Sequence, residues 1–455
     1  MRILVAAPLL SLALWWALRR VSPATSLRPF LAGAAALLLL PFAPKMHTAN
    51  PMGTAKFVFA FAAAVGVLVW LLEALRPTVS WRVALVFLLL TSAILSVQPP
   101  GESDEADYLL LAESLRTDGD MILNDEFRSD AQVRILGWEP PLFGDELPKF
   151  RADPDLPPRP SFRAPLGGAL FIPGLCLQDL VRGVFGSGAP AWLCLYLLPT
   201  ILLGLAVRSM VAAAPEDVTK AGLLGILLAP PFFYYASQAQ PEALIVLLVA
   251  LAVEGLIRDR PRSAALAIAL LPLAHYRMGV LSLLLAALLF WRGSRILATV
   301  GLAIGGAIWF WTAVVLAGGV SPALARLSGG LEFGAPIWGV QNLPAGLYAL
   351  VASPKVGIVA WCPAVFLVAW GWRERTTHAP LLAALGYLLF MAGYRSAGDS
   401  FPYARYMVPA IPLLAPAILV GARRAPRVAS LLAGWSAVLY LLVTTLPQLW
   451  RWMVC

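Results

Sequence analysis

Apolar runs of about 12 to 22 residues return along almost the whole 455-residue chain, and most are separated by short gaps holding one to three arginines. With 60% hydrophobic and 13% charged residues and a mean hydropathy of +0.78, a chain this long cannot keep its surface wetted as a soluble globule. In a bilayer every backbone polar group must be bonded internally, so such runs form helices. The expectation is an all-α polytopic membrane protein. A span needs roughly 20 apolar residues, and about fourteen candidates follow: 3–18, 29–43, 56–73, 82–97, 188–207, 221–236, 242–257, 263–274, 278–291, 296–317, 356–372, 379–395, 406–421 and 428–447. Arg19-Arg20, rather than a small-residue cleavage site, follow the first run, so it reads as a retained helix.

Charge is distributed unevenly. Residues 101–163 hold 15 of the 25 acidic residues and seven basic ones, a net charge of −8 in a chain of net +9, so the remainder carries +17. The excess cations sit singly or in pairs between apolar runs, as juxtamembrane anchors do, which argues against nucleic acid as a partner. Placing those gaps in the cytoplasm puts both termini and the acidic segment (the loop 99–187) outside it. Residues 165–182 are apolar but interrupted by Pro165, Gly167, Gly168, Pro173, Gly174 and Asp179. They are expected to lie at the interface rather than to cross. The four cysteines are far apart and have no ligand-like spacing to each other or to the three histidines, so neither a disulfide framework nor a metal-thiolate site is implied.

The acidic segment opens with Ser103-Asp104-Glu105-Ala106-Asp107-Tyr108, with Ser103 as N-cap and three carboxylates in the first helical turn. Leu109, Leu110, Ala112 and Leu115 are expected to face the membrane surface. Acids at a helix N-terminus offset its dipole without any catalytic role. This cluster, however, lies just past the end of a span, where the head group of a lipid-linked substrate would sit. On the same side the second half of the chain offers few cations: Arg277 in His275-Tyr276-Arg277, Arg326, Lys355, Arg395, Arg405 in Tyr403-Ala404-Arg405-Tyr406, and Arg451. An isolated interfacial arginine is usually a snorkelling anchor, and tyrosines beside it fit an aromatic belt. Glu242 after Pro241 is an ordinary helix start. The predicted apolar cores lack ionisable residues, unlike most ion-coupled transporters, and no phosphate loop supports ATP-driven chemistry.

Three passages resemble the GT-C superfamily of membrane glycosyltransferases that use polyprenyl-phosphate sugars, which includes protein O-mannosyltransferases and the lipid A aminoarabinose transferase. They are Ser103-Asp104-Glu105-Ala106-Asp107-Tyr108-Leu109 with Asp118-Gly119-Asp120, Ser353-Pro354-Lys355-Val356-Gly357-Ile358 with Pro363, and Ser400-Phe401-Pro402-Tyr403-Ala404-Arg405-Tyr406 with Pro409. Asp107 departs from the family, which often has a basic residue or His there. The resemblance implies a GT-C-like bundle of about 14 transmembrane helices with an extracytoplasmic acidic loop and juxtamembrane helices. It covers 81–455, leaving 1–80 as additional N-terminal helices. The implied activity is inverting transfer of a sugar from a polyprenyl-phosphate carrier to a hydroxyl acceptor on the extracytoplasmic side, and the preference for Arg over Lys separately points to a bacterial inner membrane. Asp104 is then the expected base, with Glu105 beside it. Asp107, Tyr108, Glu242, His275, Tyr276, Arg277, Lys355, Arg405 and Tyr406 are expected to bind substrate. No cofactor is expected; a divalent metal stays open, since carboxylates are numerous and some GT-C members use one, but a hard-cation site needs several oxygen ligands converging on a point, which a sequence does not show. A transporter or flippase, and a non-catalytic scaffold, are the competing classes.

Overall fold

The computed structural model describes residues 51–75, 80–95, 103–120, 123, 126, 135, 164–186, 193–214, 217–316, 338–394 and 404–445. The expected spans 3–18 and 29–43 lie outside these, as do Arg326, Arg395, Tyr403 and Arg451. The described chain is overwhelmingly helical and has no strand beyond one isolated bridge between Trp338 and Tyr394. In chain order the main helices are α1 (Pro51–Ala74), α2 (Trp81–Leu95), α3 (Ser103–Thr117), α4 (Pro165–Ala169), α5 (Ile172–Phe185), α6 (Leu193–Ala213) and α7 (Lys220–Leu227). They continue with α8 (Glu242–Ile257), α9 (Pro261–Ala274), α10 (Met278–Trp291), α11 (Arg295–Leu316), α12 (Leu343–Val351), α13 (His378–Ala392), α14 (Ile411–Arg424) and α15 (Pro426–Thr445).

These helices run back and forth between two chemically different ends, and their polar ties show which ends meet. At one end Arg258 donates from Nε to the carbonyl of Ala212 at 2.6 Å, and Arg292 bonds the carbonyl of Leu256. Lys220 bonds the carbonyl of Leu72, Arg208 lies over the Trp81 ring, and Arg424 pairs with Glu374 at 3.1 Å. The cations of the short gaps therefore gather at one basic end, as helix C-termini and interfacial carbonyls favour. The opposite end carries α3, α4, the start of α8, the turn between α9 and α10, and the entry to α14.

A single apolar core built from small and branched residues joins α1 and α2 to α6 through α15. Glycines allow the closest approaches. A Cβ on Gly371 would sit 1.8 Å from the Ala417 carbonyl oxygen, and one on Gly346 would sit 2.0 Å from that of Ala392. Two expected spans are broken into short pieces. Residues 221–236 become α7, the turn Pro230–Phe233 and the 3-10 turn Tyr234–Ser237, because Pro230 and Pro231 cannot continue the hydrogen-bond ladder. Residues 356–372 become Ile358–Trp361, Pro363–Leu367 and Val368–Gly371, interrupted at Pro363.

Four described segments are long and apolar enough to cross a membrane by length and composition: Pro165–Phe185, Leu193–Ala213, Arg405–Arg424 and Pro426–Thr444. Shorter apolar helices of 10–17 residues accompany them. Several helices thus fit a polytopic membrane protein, and the described residues, which leave out two of the expected runs, do not reach a count of fourteen spans. Pro165–Phe185 belongs to this set although its sequence predicts an interfacial position. Its contacts tie it to the acidic segment. Arg116 of α3 bonds Asp179 at 2.5 Å, Gln178 bonds the carbonyl of Ile135 at 3.1 Å, and α4 packs along α3.

Candidate functional site

The acidic helix α3 is fastened to the bundle by its own buried face. Tyr108, Leu109, Leu110 and Ala112 pack with Phe171, Leu175, Leu195, Tyr196 and Ala239 in a second apolar cluster. This corrects the expectation that Leu109, Leu110 and Ala112 face the membrane surface. They are covered because α4, α5 and the start of α6 close over α3. Gly167 makes the fit possible, since a Cβ there would lie 2.9 Å from the Ala274 carbonyl oxygen and 3.0 Å from Cε1 of Tyr108. At its C-terminus α3 stops in Asp118-Gly119-Asp120. Gly119 takes φ +73, a left-handed conformation that glycine adopts without steric cost, and Ser114 Oγ donates to Asp120 Oδ1 at 2.9 Å. Arg116 bridges Glu113 at 2.8 Å and Asp179 at 2.5 Å. Partial burial lowers its pKa, but the bonds to the two carboxylates outweigh that and hold it above the ordinary arginine value.

Glu105 supplies the polar anchor. It is 2% exposed, and its Oε1 accepts the backbone N–H of Ala239 at 2.6 Å. Three residues further on, Glu242 opens α8 at the positive end of that helix, where a carboxylate is stabilised. Its Oε1 accepts Nε of Arg405 at 2.6 Å, with both side chains almost wholly buried. Charges withdrawn this far from water persist only as pairs. Arg405 is aimed inward by Ala404, whose left-handed φ of 56 costs a non-glycine residue roughly 1–3 kcal/mol.

Tyr406, the next residue, is half-buried and sits beneath Arg277, whose guanidinium carbon is 4.5 Å from the ring centroid. A second nitrogen of Arg277 meets His275 Nε2 at 3.1 Å, and the Arg277 backbone N–H donates to His275 Nδ1 at 3.2 Å. His275 breaks α9 in an extended conformation, which lets the three-residue turn fold back on itself. Tyr387 of α13 donates its hydroxyl to the Tyr406 carbonyl at 3.0 Å, and Tyr394 lies edge-on to the Tyr406 ring at 6.0 Å.

The arrangement brings together Glu105, Glu242, His275, Arg277, Arg405 and Tyr406 from four distant parts of the chain. Arg277 and His275 are partly accessible, while Glu105, Glu242 and Arg405 are enclosed. Other expected site residues fall elsewhere. Tyr108 is packed in the second cluster and fully buried, and Tyr276 turns its ring toward Trp309 at 5.8 Å. Lys355 lies in a tight turn, its N–H bonded to Ser353 Oγ at 3.2 Å and its carbonyl to the Trp361 indole at 3.0 Å. Asp107 is half-buried on α3, and Asp104 is the second residue of that helix, its side chain outside the described residues. Tyr387, Ala404 and Gly167 were not foreseen as parts of the site. In the sequence Gly167 shows only as one of the interruptions of an apolar run, and Ala404 only as a member of the segment around Arg405. Among the described residues no three His, Cys, Asp or Glu side chains converge as a metal site would require. Comparison of the chain with known protein families, curated proteins and solved structures finds no match.

Proposed function

We propose that this chain is an inverting glycosyltransferase of GT-C type. It would move a sugar from a polyprenyl-phosphate carrier to a hydroxyl acceptor on the extracytoplasmic side of a bacterial inner membrane. The observation that carries the reading is the cluster of His275, Arg277 and Tyr406, braced by the Glu242–Arg405 pair and joined to the acidic helix through Glu105 and Ala239. A partly exposed cation and an acidic helix N-terminus thereby share one end of an apolar bundle, opposite the basic end.

In this mechanism the acceptor oxygen attacks the anomeric carbon as the carbon–oxygen bond to the carrier phosphate breaks, and the configuration inverts. The acceptor proton passes to Asp104, the second residue of α3. The departing phosphate becomes a monoester and gains charge, which Arg277 offsets. Arg405 is occupied by Glu242, so its role is to position Tyr406 under Arg277 rather than to meet phosphate. Glu105 positions the first turn of α3 against the loop that leads into α8.

A flippase reading draws on the broken segments at Pro230 and Pro363, since interrupted helices line many transport sites. The two separate in liposomes loaded with polyprenyl-phosphate sugars. A transferase with acceptor present releases free polyprenyl phosphate, whereas a flippase changes only the leaflet in which intact donor is found.

A further inference from the structure

A groove of about 680 Å³ runs between α10 and α11 at the basic end, away from the site just described. Small residues open it. Ala286, Ala287 and Ala298 line it, together with Leu283, Thr299 and Leu302. Arg295 stands at its mouth beside Phe290 and Trp291. The Arg295 guanidinium lies 5.5 Å from the Phe290 ring centroid, and among the described residues it has no acidic partner or hydrogen bond. Its neighbour Arg292 is already held by the carbonyl of Leu256. Trp291 is 88% exposed and Ile296 80%, as suits residues at a bilayer interface. From Arg295 and Trp291 to Leu283 the walls extend for eight residues of helix, about 12 Å.

A largely apolar trench, whose one uncharged polar lining residue is Thr299, with a single uncompensated cation is complementary to a lipid with a negative head group. We infer that this groove binds one anionic glycerophospholipid in the leaflet at the basic end. Its phosphate sits on Arg295 and the upper part of one acyl chain lies along Ala287 and Leu283. Basic pockets between transmembrane helices hold anionic head groups in this way. The site is independent of the transferase reading, being separated from Arg277 by the length of α10.

The test is native mass spectrometry of the full chain in detergent, titrated with phosphatidylglycerol or with phosphatidylcholine of the same acyl chains. Wild type is expected to retain phosphatidylglycerol preferentially. Arg295→Gln should lower that retention about fivefold, the effect of one interfacial cation, and leave phosphatidylcholine unchanged. Ala287→Trp, which fills the trench, should lower retention while preserving Arg295. Arg427→Gln, at another exposed site of the basic end, should change nothing. Equal retention of both lipids would overturn the proposal. So would an undiminished phosphatidylglycerol signal in Arg295→Gln, an equal loss in Arg427→Gln, or displacement of phosphatidylglycerol by equimolar polyprenyl phosphate.

Discussion

Arg405 and Glu242, 163 residues apart in sequence, meet through a 2.6 Å bond between Nε and Oε1 inside the bundle. The pair ties the entry to α14 to the start of α8 and fixes where Tyr406 stands. A buried ion pair contributes little net stability against an apolar replacement, but breaking it by removing one partner costs about 3–5 kcal/mol. Glu242→Ala and Arg405→Ala should each lower the unfolding temperature in detergent sharply. The double substitution Glu242→Gln with Arg405→Met should recover much of that loss. If the double variant were as unstable as the sum of the singles, the pair would not act as a unit.

Arg277 differs from Arg405 in being partly accessible, so its loss is expected to affect turnover more than folding. Arg277→Gln should reduce release of polyprenyl phosphate by about 10²-fold, the scale for losing one charge-stabilising group in a transition state, with unfolding temperature near wild type. Tyr406→Leu, which removes the ring under the guanidinium, forfeits a cation–π contact of about 0.5–2 kcal/mol and should reduce turnover less. A larger effect at Tyr406 than at Arg277 in steady-state transfer assays would reverse these roles.

Gly167 lies where α4 crosses the end of α9. A methyl group there would meet the Ala274 carbonyl and the Tyr108 ring, and overpacking of this kind costs about 1–3 kcal/mol. Gly167→Ala should therefore lower stability and detach α3, seen as faster proteolysis of the acidic segment. Gly183, which has open space around it, serves as the control, and Gly183→Ala should be silent.

The bond between Arg116 and Asp179 is half-exposed, and pairs in that setting are worth about 0–1 kcal/mol. A double-mutant cycle with Arg116→Gln and Asp179→Asn should return a coupling within that range. Its value lies in position. If α5 stays with the acidic segment, Leu180→Cys in a background without other cysteines should react with an impermeant reagent from the same side as residues of that segment, and from the opposite side to a cysteine at Arg375.

How legible these features are in the sequence depends on what creates them. Helices α8, α10 and α11 follow the apolar runs 242–257, 278–291 and 296–317 to within one residue at each end, because hydropathy and the flanking Arg or Pro mark such ends locally. The runs 221–236 and 356–372 are equally apolar, yet proline pairs and isolated prolines break them, and a hydropathy window averages those residues away. In the candidate site His275, Arg277 and Arg405 stand out as rare polar residues between apolar runs and Glu105 belongs to a conspicuous acidic cluster, whereas Glu242 reads locally as an ordinary helix start and only the family resemblance singles it out. Tyr387 does not stand out, because nothing local distinguishes a tyrosine inside an apolar helix from core packing until the Tyr406 carbonyl is brought to it. The orientation of Leu109, Leu110 and Ala112 was misjudged for the same reason. An apolar stripe on a short acidic helix fits a membrane surface and a protein groove alike, and only the arrival of α4 and α5 decides between them.

The most direct test of the central claim is transfer by Asp104→Asn. Purified wild type and variant, matched for unfolding temperature, would be reconstituted in liposomes with a panel of polyprenyl-phosphate sugars and crude membranes supplying the acceptor, and free polyprenyl phosphate would be measured. Wild type is expected to release it from one donor, and the variant to be slower by about 10²- to 10⁴-fold. Near-normal release by Asp104→Asn would contradict the assignment of the base, and donor left intact by wild type would contradict the transferase itself.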